Sequence, residues 1–537
     1  MLEDNALITR IVSRFHIIVT VVVALLAAGI FGAAAGEGDF YFVYLGILIA
    51  AFVGLVLALG DRYWLIIPFA FTSQLPAIPI KGRLLEFPEI TAVLCSVVFL
   101  VRYAFRRQTL SFFRKQHVPI LLYVGWVMLI FAMNPVGLSD AGSSLGGARF
   151  YAKIVLALAV FIIMANQEIN EKECKWVIIL LLVGGLLDAI YQIAEFFLPL
   201  GAFGLGVDAN MQLSLDPDSF YSWHQALARV PLLLVCLAFA RYRASDIFSL
   251  NRLWAVAGLA LCVLVIAMSG KRAALASVPL FAIIAALTRR EWGYLMLWLA
   301  MAIVAGTIIV VGHGDLFRLP LTVQRAFSAL PAQWDSELGN VAGGKDVFRA
   351  ELRRQALKKI EKDPWMGSGY QVNLSLGQAL AAQYAHRGGD TELQVAPLGL
   401  GSAWHNTWLG YAADFGIPAS IIAAIIYLTF IKMSYRLTNG FPPKSLRATL
   451  AGFIFLNTTI LLLRTYTSGH SALDAFSYWW FYGTLVSLSV AWSKSRSESS
   501  GSPNIAYHTP DFRASPAATR RGRGVLLPVR AGLQRTK

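Results

Sequence analysis

The residues of this sequence best suited to chemistry are charges set singly into long apolar stretches. Arg149 and Lys153 stand four positions apart, as do Gln225 and Arg229, with His224 just ahead of the second pair. Helical residues four apart share a face, so each pair points one way. Asp188, Gln192 and Glu195, at spacings of four and three, form a polar stripe on another apolar run and give Arg229 a natural partner. A lone charge at the centre of a bilayer costs roughly 3 kcal/mol or more, so such residues persist where they are paired or where they work. For Asp188 and Arg229 both readings stand: an ion pair that holds helices together, or part of a binding site. Pro231, in the same run as Arg229, predicts a loosened helix in which the carbonyl of Leu227 is freed.

A turn carries the most specific chemistry. Ser269-Gly270-Lys271-Arg272 joins two apolar runs and sets two cations beside a helix start at Ala273. Backbone donors at a helix start, with a guanidinium that grips two oxygens at once, suit a phosphate or diphosphate. An ordinary interfacial loop is the alternative. Further on, Asp346 to Lys362 reads as an amphipathic helix, with Phe348, Leu352, Ala356 and Ile360 in one row and Arg349, Arg353, Arg354, Lys358 and Lys359 around it. Such a helix lies along lipid headgroups or caps a cavity, and most of its cations form a solvated face. Pro364-Trp365-Met366-Gly367-Ser368-Gly369 follows as a turn whose glycines allow close backbone approach. Trp404-His405-Asn406-Thr407-Trp408 then opens another apolar run, so His405 stands at a helix start near the membrane interface, where an imidazole takes up a proton near neutral pH. Asp414, two turns further in, is placed to orient His405 or to balance a cation. Asp216-Pro217-Asp218 has the spacing of a metal-binding D-x-D, but a Pro-containing turn explains it, and no P-loop, dinucleotide fingerprint or H-E-x-x-H pattern occurs.

Only a membrane scaffold can position these residues. Of 537 residues, 57% are hydrophobic and 14% charged, where soluble domains carry about a quarter. The expected fold is all-α and polytopic, with about fourteen spanning helices (12 to 14), each of roughly 20 residues to cross the ~30 Å hydrocarbon core. Spans are expected near 16–35, 40–60, 63–80, 89–105, 118–136, 148–167, 175–197, 223–242, 253–270, 273–288, 293–312, 408–434, 446–466 and 476–492. Gln74, Pro76 and Pro79 make the third the weakest of these, a candidate broken or re-entrant helix. Lys and Arg gather in one set of alternate loops, which marks that side and both termini as cytoplasmic. The other side carries one large loop between the eleventh and twelfth spans. Four parts are therefore expected: a transmembrane bundle over 1–312, a large periplasmic loop over 313–407, further transmembrane helices over 408–492, and a disordered basic cytoplasmic tail over 493–537. An uncleaved anchor, rather than a signal peptide ending near Ala35, opens the chain. The net charge of +15 fits topology and anionic lipid rather than nucleic acid. Cys95, Cys174, Cys236 and Cys262 lie in or beside apolar runs without a C-x-x-C pair, as packing thiols do.

Taken together, three motifs resemble the O-antigen ligase and polymerase superfamily. They are Met268-Ser269-Gly270-Lys271-Arg272-Ala273-Ala274; Arg349 leading through Ala356-Leu357 and Ile360 to Pro364-Trp365-Met366-Gly367-Ser368-Gly369; and His405-Asn406-Thr407-Trp408-Leu409 with Asp414-Phe415-Gly416. The resemblance implies a glycosyltransferase of the bacterial inner membrane that works on the periplasmic face in O-antigen, capsule or exopolysaccharide assembly. It implies an undecaprenyl-diphosphate-linked glycan as donor, lipid A core or a second lipid-linked glycan as acceptor, and no metal or other cofactor. Arg272 with Lys271 would hold the diphosphate, Arg149 or Lys153 and Arg229 would complete the cationic pocket, and His405 would be the base. Asn406, Asp414, Asp188, Arg349 and His224 would support them. A flippase or exporter of the same lipid-linked glycan is the competing class; the absence of a sequence repeat and the gathering of cations at one end weigh against it.

Overall fold

A computed structural model describes residues 40–73, 78–80, 83–105, 115–134, 148–197, 227–247, 253–328, 330–335, 350, 353–370, 406–464 and 474–499. The expected first span, His224, Gln225, Arg349, His405, most of the expected large loop and the tail beyond 499 lie outside these residues. By contacts the chain divides into two units, Met1–Trp492 and Ser493–Lys537.

The described residues are almost entirely helical. In chain order the helices are α1 (Phe40–Leu59), α2 (Ile66–Ser73), α3 (Phe87–Ala104), α4 (Val118–Met133), α5 (Ala148–Ala165), α6 (Glu171–Phe197), α7 (Arg229–Arg241), α8 (Ala244–Ile247), α9 (Leu253–Met268), α10 (Arg272–Arg289), α11 (Trp292–Gly312), α12 (Leu321–Phe327), α13 (353–362), α14 (Thr407–Gly440), α15 (Leu446–Arg464) and α16 (Asp474–Ser499). Six helical stretches among the described residues are long and apolar enough to cross a membrane: Phe87–Ala104, Glu171–Ala194, Arg272–Arg289, Trp292–Gly312, Thr407–Gly440 and Leu446–Arg464. The chain is a multi-pass membrane protein.

Helices are not the only element, contrary to expectation. The stretch expected as a third span, 63–80, is a 3-10 turn (Gly60–Leu65), the eight-residue α2, and the first strand of a hairpin in which β1 (Ile78–Ile80) pairs antiparallel with β2 (Arg83–Leu85), Pro79 opposite Leu84. Pro79 supplies no N–H and lies in β1, opposite Leu84. The loosening expected from Pro231 falls at Ala228, a turn between the helical Leu227 and the start of α7 at Arg229.

The centre of the bundle is α15, which packs on α14, α7, α10 and α6 and buries most of its length, including Phe453, Leu450 and Ile454. By contrast, α11 leaves Met296, Ile303, Val304, Ile308 and Val311 exposed, as a lipid-facing helix does. The α14 helix is bent at Gly416, whose φ of 79° and ψ of 166° belong to glycine alone, two residues before Pro418. Groups around the bend find partners elsewhere. The Trp126 indole donates to the Phe415 carbonyl at 2.9 Å, and Ser420 Oγ donates to the Trp408 carbonyl at 2.9 Å.

Candidate active site

The site is built where α10 begins. The Ser269-Gly270-Lys271-Arg272 turn forms as its sequence implies: α9 ends at Met268, Gly270 takes a φ of 67°, and α10 starts at Arg272. Ser269 Oγ accepts from the Lys271 N–H at 3.3 Å and donates to the Ile266 carbonyl at 2.6 Å, so the buried serine stiffens the turn. Lys271 is the extended N-cap residue of α10 and Arg272 its first helical residue. Arg272 is turned toward α12, its Nε donating to the Arg325 carbonyl at 3.0 Å.

Lys271 instead faces a cluster of charge. Burial lowers its pKa below the usual lysine value, and the neighbouring cations Arg229 and Arg464 push it the same way, while Asp188 opposes them. Asp188 is fully buried on α6 and pairs with Arg229 of α7, and Gln192 Nε2 donates to its other oxygen at 3.0 Å. The pair expected between Asp188 and Arg229 thus forms, with Lys271 added to it. Arg464, at the end of α15, is the member of this group that sequence reading missed. The signal was there: it is the last residue of a nineteen-residue apolar helix, and that helix is the centre of the bundle.

Arg149 and Lys153 share a face, as their spacing implies, and meet two carboxylates. Arg149 grips Glu89 with Nε at 2.9 Å and Nη2 at 2.6 Å. Lys153 reaches Glu86 at 2.7 Å and Glu89 at 3.3 Å. The same Glu89 closes the first turn of α3 by accepting from the Glu86 N–H at 2.9 Å, so a helix cap and an ion-pair quartet share one buried side chain. Neither Glu86 nor Glu89 figured in the sequence reading.

The two expected supporting residues on α14 have defined places. Asn406 is its N-cap, with Oδ1 accepting from the N–H of Trp408 at 3.1 Å and of Leu409 at 3.2 Å. Asp414, buried on the same helix, has the ammonium of Lys359 from α13 at 4.0 Å, so it balances a cation of the basic helix. That helix packs by Ala356 and Ile360 against Ala413 and Leu409 of α14 and leaves Arg353, Arg354 and Lys358 exposed.

Beyond it, the turn Pro364-Trp365-Met366-Gly367-Ser368-Gly369 lies directly on the bend of α14. The Ser368 N–H donates to the Ala413 carbonyl at 3.1 Å, and the Ile417 N–H donates to the Pro364 carbonyl at 2.8 Å. Gly367 has a φ of 69°, and a Cβ there would lie 2.6 Å from both the Asp414 carbonyl carbon and the Gly416 nitrogen. Past the turn, the Tyr370 N–H donates to Tyr151 Oη at 3.0 Å, and its ring stacks on Phe150 with centroids 3.9 Å apart, tying this segment to α5 beside Arg149. Among the described residues no group of His, Cys, Asp and Glu is arranged to hold a metal.

The family model described as O-antigen ligase matches residues 257–424, which contain the Lys271-Arg272 turn, α12, the Gly367 turn, Asn406, Asp414 and the bend of α14. No curated protein matches the chain. Over residues 257–424 the chain is thus similar to the O-antigen ligase family, which supports its resemblance to the O-antigen ligase superfamily.

Proposed function

We propose that the chain is a membrane glycosyltransferase that transfers or polymerises a glycan from an undecaprenyl-diphosphate-linked donor at the periplasmic face of the bacterial inner membrane, in O-antigen, capsule or exopolysaccharide assembly. The donor diphosphate sits against Arg229, Lys271 and Arg464, with the Arg272 guanidinium at the mouth of the same site. His405 takes the proton of the acceptor hydroxyl as that oxygen bonds to the anomeric carbon. The bond from that carbon to the diphosphate breaks, and the diphosphate departs on its lipid. Cations fixed in a low-dielectric site stabilise this leaving group without reorganising, which is where electrostatic catalysis is strongest. Arg149 and Lys153 form one wall of the site, their charge balanced by Glu86 and Glu89. The reading assigns no metal, and the acceptor is lipid A core or a second lipid-linked glycan.

The observation that carries this reading is the buried Asp188–Arg229 ion pair, with Lys271 under the electrostatic influence of Asp188, Arg229 and Arg464, beside the turn that opens the family-matched α10. Purified protein supplied with a defined undecaprenyl-diphosphate glycan and each acceptor in turn tests it. A ladder of products identifies a polymerase, and a single transfer to lipid A core a ligase. Passage of the donor across vesicles with no glycan transferred would replace this reading with that of a transporter.

A further inference from the structure

We infer that Gln324 is a positioning residue for Arg272, acting through the main-chain carbonyl of Arg325. The inference rests on the reading of Arg272 as a donor-binding group and adds the part of the chain that aims it.

Arg272 is more exposed than Lys271 and stands at the first position of α10. Its Nε donates to the Arg325 carbonyl at 3.0 Å. The Nε–H lies in the guanidinium plane, so this bond orients both the plane and the terminal nitrogens. The aim of Arg272 therefore depends on the position of that carbonyl. Arg325 belongs to α12, a helix of seven residues, too short to hold itself together by propensity.

Gln324 holds it. The side chain is 1% exposed, and its amide uses both donors and its oxygen. Nε2 donates to the Leu319 carbonyl at 2.9 Å and to Asp335 Oδ2 at 2.9 Å, while Oε1 accepts from the Asp335 N–H at 3.1 Å. One side chain thus closes the segment entering α12 onto the segment leaving it. Arg318 reinforces the clasp through Asp335 Oδ1 at 2.9 Å, and this bond holds the Asp335 carboxyl below the usual carboxylate range, so that it stays ionised and accepting at neutral pH. The His313 ring stacks on Trp334 with centroids 5.0 Å apart, and Ser328 Oγ donates to the Arg325 carbonyl at 2.9 Å. The clasp keeps α12 on α9 and α10, against which it packs. A buried glutamine with all three functions satisfied, one residue before the carbonyl that holds a candidate donor-binding arginine, is a built feature rather than a surface accident.

A double-mutant cycle on the full-length protein tests this. Glu in place of Gln324 would set two carboxylates together, so the variant is Gln324→Met, which keeps the volume and removes the hydrogen bonds. Transfer from the undecaprenyl-diphosphate glycan is measured for wild type, Gln324→Met, Arg272→Ala and the double variant, with thermal unfolding of each. The expected result is a roughly tenfold loss of kcat/KM for Gln324→Met in the wild-type background and no further loss in the Arg272→Ala background. A loss that persists undiminished without Arg272 would mean a merely structural role and overturn the inference, as would a Gln324→Met enzyme with full turnover. Full turnover in Arg272→Ala is a different failure, because it removes the reading of Arg272 itself.

Discussion

Gly367 and Gly416 are in contact main chain to main chain, both with positive φ, and neither leaves room for a Cβ on the other's side. A turn nearly fifty residues earlier in the chain is thereby locked onto the bend of α14, and the bend is held open by the turn. The consequence for the site is positional: Asp414 and the helix that begins at Asn406 are fixed relative to the basic helix α13.

Replacing Gly416 with Ala tests this lock. Its φ and ψ cost a non-glycine residue about 1–3 kcal/mol before any clash, and the new Cβ would fall on the Trp365 carbonyl oxygen. Thermal unfolding in detergent is expected to show a loss of several degrees, with transfer activity falling alongside. Gly258→Ala on α9, where a Cβ meets nothing within 4 Å, is the control and should be neutral.

Asp188 is the buried partner of Arg229, and the Arg229 side chain is 30% exposed, so solvent moderates the cost of breaking the pair. Asp188→Ala is expected to destabilise by about 3 kcal/mol, since it leaves Arg229, Lys271 and Arg464 to repel one another without the carboxylate. The double variant Asp188→Leu, Arg229→Met should recover most of that stability while losing donor binding. A double variant no more stable than Asp188→Ala would contradict the pairing.

Lys271 gives the site a pH dependence. Its pKa is lowered from 10.5 by burial and by Arg229 and Arg464. The charged form is therefore the strained one, and folding is less favourable while Lys271 is protonated, with stability regained as pH climbs through its lowered pKa toward 10.5. An anionic diphosphate reverses the shift and draws a proton onto the amine. Donor affinity should accordingly weaken as pH rises, starting below the range of an ordinary lysine, and Lys271→Arg should flatten the profile because arginine stays charged. An unchanged profile in Lys271→Arg would remove Lys271 from donor binding.

The quartet of Arg149, Lys153, Glu86 and Glu89 is balanced, so it should matter to stability more than to affinity. Glu89→Gln is expected to lower stability by about 3 kcal/mol, through both the lost partner of Arg149 and the weakened cap of α3. KM for the donor should change less than threefold in Arg149→Met, Glu89→Leu, measured at a temperature where the protein is folded.

Much of this was legible in the sequence because membranes make charge conspicuous. Asp188 and Arg229 could be paired on paper, since a buried charge in a span needs a partner. The turn at Ser269-Gly270-Lys271-Arg272 was legible from its small residues between two apolar runs. Three things were not. Pro76 and Pro79 predict a break but not a hairpin, because strand pairing depends on residues the local pattern does not contain. Glu86 and Glu89 look like the cap of a helix and give no hint of the two cations sixty residues away. The clasp at Gln324 joins side chains and carbonyls across a fold of short segments, where no periodicity marks the contact in advance.

In the proposed site, Arg229, Lys271 and Arg464 together hold a lipid-linked diphosphate. The most direct measurement of this is equilibrium binding of undecaprenyl diphosphate to the detergent-solubilised protein and to the variant Arg229→Gln, Lys271→Gln, Arg464→Gln, with thermal unfolding to confirm that the variant is folded. Binding in the variant is expected to fall about a hundredfold or more, and what remains to be insensitive to salt. Binding at wild-type strength in a folded triple variant would contradict it.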